Sequence, residues 1–104
     1  MNEKLRKIIN HYGIDKQLKY FQSEVFELNE AIIERETHWN YDTEIQDIKP
    51  YDRHISEEIA DVMVMLKQIQ LYYDISTEDI EEIMTFKIDR QLERIKKEKE
   101  NENE

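Results

Sequence analysis

The chain has 104 residues, which suits one domain with a small core. One Gly and one Pro cannot supply the turns of an all-β fold, and a formal net charge of −10 argues against a nucleic-acid backbone or an anionic membrane as partner. Without cysteine there is no disulfide framework, no thiolate nucleophile and no Cys-ligated zinc.

Residues 3–12 read as a short helix with Leu5, Ile8 and Ile9 on one face, and Gly13 is a natural stop behind it. The N-terminal stretch MNEKLRKIINHYG lacks the apolar centre of a signal peptide, and no run approaches the roughly 18 apolar residues of a membrane span. The expectation is a cytoplasmic protein. Asp15 is placed to cap a long second helix, KQLKYFQSEVFELNEAIIERE. Its apolar positions Leu18, Phe21, Val25, Leu28 and Ile32 step by three and four, which is a helical stripe.

Residues 37–53 have no sustained period, hold the only Pro and the only Trp, and read as a long loop of the kind that is often functional or mobile. Ser56 then caps a third helix reaching about Tyr73. Within it Val62–Leu66 is apolar on every side, a pattern that favours burial all round by a second subunit, the alternative being a broad but one-sided core. Ser76, with Asp79 three residues on, resembles a capping box for a fourth helix carrying Ile80, Ile83, Met84, Ile88, Leu92 and Ile95. The expected architecture is all-α: a four-helix, bundle-like core with two long central helices, assembled as a homo-oligomer. A single domain spans 1–95, and 96–104 is a charged, disordered tail.

Two pairs of carboxylates stand out. Glu24 and Glu27 are three apart on the second helix, and Glu58 and Asp61 are three apart on the third. Such residues share a helix face, and packed helices lie about 8–10 Å apart, so side chains from both can meet in the gap. Spacing alone is common here, since Glu27/Glu30 and Glu78/Glu81 repeat it among 25 acids. The chosen pairs differ because they flank Val25, Leu28, Ile59 and Val62 and so border apolar faces. Four crowded negative charges repel unless protonated or bridged by a cation. All-oxygen ligation by Glu24, Glu27, Glu58 and Asp61 points to Mg²⁺, with Mn²⁺ as the alternative.

SEVFELNEAI followed by EEIADVMVML resembles the all-α nucleoside triphosphate pyrophosphohydrolases of the MazG type. The signature reads Glu24-Val25-Phe26-Glu27 and Glu58-Ile59-Ala60-Asp61, and the resemblance spans roughly residues 15–95. Ser23 stands where family members often carry an acid, the connection from Leu28 to Glu57 is long, and there is no tandem second copy. The resemblance implies hydrolysis of a nucleoside triphosphate between the α and β phosphates, giving a monophosphate and pyrophosphate. It makes the four carboxylates catalytic, with the water activated by the metal or by a carboxylate base; the sequence does not single out that base, and Glu27 is the pick among the four.

On the fourth helix Lys87, Arg90, Arg94 and Lys97 share a face. Lys87 and Arg90 are the expected phosphate contacts, while Arg94 and Lys97 are ascribed to the helix dipole. Trp39, with Tyr41 and Tyr51, is placed to stack on a base. His11, His38 and His54 form no Glu-x-x-His pair, which argues against a di-iron bundle and leaves them as surface residues. The rival to the enzyme is a non-catalytic helical protein that dimerises through the third helix. In that case the four acids are ordinary surface charges.

Overall fold

The computed structural model describes residues 1–41 and 48–102, with the side chains of 39–41 outside the description. Among the described residues there are four helices and no strand: α1 (Asn2–Tyr12), α2 (Ile14–Tyr41), α3 (Lys49–Tyr72) and α4 (Thr77–Glu102). None is long and apolar enough to cross a membrane. The chain divides into two compact units, Met1–Tyr73 and Asp74–Glu104.

In the first unit α2 and α3 form the most extensive contact, and α1 packs on both. Leu5 and Ile9, four apart, bury one edge of α1 at 5% and 3% exposure, while Ile8 stays partly open. Gly13 ends α1 at φ +84°, a left-handed conformation that costs glycine little, and its N–H donates to the Ile9 carbonyl at 2.8 Å. Its own carbonyl accepts from Gln17 N–H, so α2 starts at once. Asp15 is therefore not the cap but a first-turn residue, still well placed against the helix dipole.

The face of α2 that meets α3 differs from the expected stripe. Phe21 and Leu28 are half-buried as expected, but Val25 and Ile32 are open at 43% and 42%. Gln17, Glu24, Ala31 and Arg35 complete the inward row instead, stepping by three and four with Phe21 and Leu28. Ala31 is buried to 3% and its small side chain permits close approach, while Gln17 Nε2 donates to Gln68 Oε1 on α3 at 2.8 Å. Together these fix the roll of the helix.

Residues 37–41 and 49–53 of the loop expected over 37–53 are helical, and 42–47 lie outside the described residues. Helix α2 continues to Tyr41 and α3 begins at Lys49, with Pro50 in its first turn, where a missing N–H costs nothing. Ser56 is thus inside α3, its hydroxyl donating back to the Asp52 carbonyl at 3.0 Å, and is not a cap. Arg35 Nε donates to Asp52 Oδ1 at 2.9 Å, and His38 stacks on Tyr51 with ring centroids 4.7 Å apart. With Gln17 opposite Gln68 and Arg35 opposite Asp52, the helices run antiparallel.

The inward row of α3 is Tyr51, Ile55, Glu58, Val62, Met65 and Ile69. Ile59, Met63, Val64 and Leu66 remain 42–52% exposed, so within one chain α3 is buried on one side only.

In the second unit Ser76 caps α4 as expected, accepting from Asp79 N–H at 3.1 Å. The helix runs on through the segment expected to be a tail, as far as Glu102. Its Lys and Glu are good helix formers, and Lys96 and Glu100 are spaced for an i,i+4 pair. No residue of α4 is buried.

Candidate functional site

The inward rows of α2 and α3 each carry one carboxylate at mid-length, Glu24 and Glu58. Both are half-buried, and each keeps one oxygen, Oε2, shielded from solvent with no hydrogen-bond partner. Glu27, one turn beyond Glu24, is exposed and completes the group. One carboxylate oxygen from each of Glu24, Glu27 and Glu58 lies within 4.8 Å of the others. Three of the four carboxylates singled out in the sequence thus come together between α2 and α3.

Glu24 reports the electrostatics. Its carboxyl is held above the ordinary 4.5, first because burial strips it of water and then because Glu27, Asp61 and Glu58 repel the charged form. A hydrogen bond with Glu27 adds to the same shift. His54 Nε2 stands 3.7 Å from Glu58 Oε1, one turn away on α3. Two shielded, donor-free carboxylate oxygens beside a third carboxylate are a donor set that fits a hard divalent cation such as Mg²⁺.

Asp61 has a lesser place than the apolar run beside it suggests. It is exposed and near enough to act on Glu24 through its charge, but it is not one of the three carboxylates whose oxygens converge. Lys87 and Arg90 lie in the second unit, both exposed, with the Arg90 guanidinium 5.8 Å from the Phe86 ring centroid. The side chains of Trp39 and Tyr41 lie outside the described residues.

Tyr51, by contrast, lines a cleft of about 360 Å³ with Ala31, Glu34, Pro50 and His54. His54 is exposed, as expected of a surface residue, and also lines this cleft, whereas sequence reasoning passed over Glu34. The signal for His54 was its spacing of four from Glu58, which puts the two side chains on one face.

No family model matches this chain, and neither a curated protein nor a solved structure matches it.

Proposed function

We propose that the chain is a Mg²⁺-dependent nucleoside triphosphate pyrophosphohydrolase, cleaving between the α and β phosphates to give a nucleoside monophosphate and pyrophosphate. The observation that carries this is the convergence of Glu24, Glu27 and Glu58 within 4.8 Å, with shielded oxygens that no donor satisfies. The resemblance of the two carboxylate pairs to the MazG type supplies the reaction. Glu24, Glu27 and Glu58 would hold the cation, with Asp61 adding negative charge at the rim. A bound Mg²⁺ supplies charge stabilisation to phosphate oxygens.

Glu27 is the carboxylate for general-base work. It is the exposed member of the group, so an attacking water can reach it. It takes the proton as the water oxygen bonds to the α phosphorus and pyrophosphate leaves. Lys87 and Arg90 are assigned to the phosphates on the resemblance. The four helices assemble as a bundle-like homo-oligomer, a dimer or tetramer, and the open apolar residues of α3 support that assembly.

Product analysis tests the reaction. Purified protein is incubated with a panel of ribo- and deoxyribonucleoside triphosphates, with Mg²⁺ or with EDTA, beside Glu58→Gln. Monophosphate plus pyrophosphate is expected, with a loss of at least about 100-fold in kcat for the variant. Diphosphate plus orthophosphate would mean that the wrong bond is assigned. No turnover, together with no thermal shift from Mg²⁺, would favour the non-catalytic helical interaction protein.

A further inference from the structure

We infer that the cleft between Ala31 and Glu34 of α2 and Pro50, Tyr51 and His54 of α3 is a nucleobase site, in which Glu34 selects bases that present an exocyclic amine. For its class of ligand this rests on the function proposed above.

The cleft has the size and lining for a base. Its volume of about 360 Å³ lies inside the range of roughly 300–1,000 Å³ typical of small-molecule sites. Ala31 is buried to 3% and makes a flat floor, while Pro50 and the Tyr51 ring supply apolar and aromatic wall. The Tyr51 ring is braced from α2 by His38, which stacks on it at 25° between planes. A wall held in this way loses little freedom when a planar ligand packs against it.

The position also suits a nucleotide. Ala31 is seven residues from Glu24 along α2, about 10 Å at the helical rise. His54 is four residues from Glu58, about 6 Å. The cleft therefore lies one to two turns from the carboxylates, a separation that a sugar can bridge between base and phosphates. His54 joins the two places, since it lines the cleft and its Nε2 faces Glu58 at 3.7 Å.

Glu34 gives the site its preference. It is the lining side chain that can only accept hydrogen bonds when ionised. Among the described residues its carboxylate has no ion pair or hydrogen bond, so it is free to serve a ligand. The amines of cytosine and adenine donate to such an oxygen, whereas the carbonyl of uracil or thymine at the corresponding edge is repelled by it. Glu34 is exposed in the free protein, and a base that offers no donor at its carboxylate forgoes that pairing.

The test uses nucleosides, which carry no phosphate and need no metal. Cytidine, adenosine, uridine and thymidine are titrated into ¹⁵N-labelled protein, and amide shifts are followed at Ala31, Glu34, Tyr51 and His54. Cytidine and adenosine are expected to move these amides at concentrations about tenfold lower than uridine and thymidine. Glu34→Gln should bring the four together while leaving the rest of the spectrum in place, because an amide offers both a donor and an acceptor. Absence of shifts at the cleft, or equal response to all four in the wild type, overturns the inference. The turnover assay separates the two proposals. Pyrophosphate release without cleft shifts removes the base site and keeps the enzyme. Selective cleft shifts without turnover keep the base site and remove the enzyme.

Discussion

A charged Glu24, half-buried on α2, is repelled by Glu27, Asp61 and Glu58 and partly stripped of water. Its carboxyl therefore binds a proton more readily in the folded chain than in the unfolded one. Between the ordinary 4.5 and the raised folded value, the folded state holds more protons, so stability falls as pH rises through that window. The metal-free protein should accordingly melt at a higher temperature as pH is lowered from neutrality toward 4.5. Glu24→Gln should flatten that slope and raise the metal-free melting temperature at pH 7 by on the order of a few °C. On the proposed function, Mg²⁺ should reverse the balance. At 100 times its dissociation constant it should stabilise the wild type by about 2.7 kcal/mol, and Glu24→Gln should lose that gain. Calorimetry at several pH values, with EDTA or Mg²⁺, reads all of this. A metal-free slope identical in wild type and variant would remove Glu24 from the cluster's electrostatics. At this scale the sequence was informative about which acids meet, because Glu24 and Glu58 sit in paired motifs beside apolar residues. It was silent about their rank. Asp61 precedes the apolar run Val62–Leu66, yet a neighbour in sequence is about 100° round the helix, and the face Asp61 occupies is open.

The α2–α3 pair is fixed by more than apolar contact. Gln17 and Gln68 are 4% and 2% exposed and joined by a 2.8 Å hydrogen bond, and Gln68 Nε2 also donates to Met65 Sδ at 3.7 Å. Buried amides stabilise little in net terms but are costly to orphan. Gln68→Leu leaves Gln17 buried with neither end paired and should cost about 1–3 kcal/mol. Adding Gln17→Leu should recover most of that loss, since two apolar side chains then replace two polar ones. Urea unfolding of the two single variants and the double variant gives the coupling. A double variant as unstable as the sum of the singles would mean that the pair is no unit. This pair also shows why the helix faces were only partly legible. A three-four apolar count on α2 finds Phe21 and Leu28 but cannot find Gln17 or Ala31, because a buried glutamine counts as polar and alanine counts weakly. The roll between the two candidate faces is decided by tertiary pairing. Helix existence, by contrast, was plain from Gly13, from the Ser76 cap and from the spacing itself. The start of α3 was missed because Pro50 looks like a loop residue until it is placed in the first turn of a helix.

The first unit leaves two sets of apolar side chains open. Val25 and Ile32 on α2 are 43% and 42% exposed, and Ile59, Met63, Val64 and Leu66 on α3 are 42–52% exposed. In a chain with a charged fraction of 38%, that much open hydrocarbon along two helices is what a second copy would cover. Each copy also brings a net charge of −10, so association must overcome like-charge repulsion. The two effects separate in salt. Added salt screens the repulsion and leaves apolar burial intact, so an assembly held by these faces should tighten as ionic strength rises from about 0.01 to 0.15 M. Sedimentation equilibrium should give a mass of two or four times 12.8 kDa. Met63→Glu, which places a charge in the middle of the open α3 face, should shift the protein toward 12.8 kDa and should do so most strongly at low salt. Circular dichroism of the variant checks that its helices persist. A wild type that sediments at 12.8 kDa at every salt concentration would show that these faces stay uncovered by copies of the chain. An assembly that instead weakens with salt would be held by ion pairs, and the apolar row of α3 would need another partner.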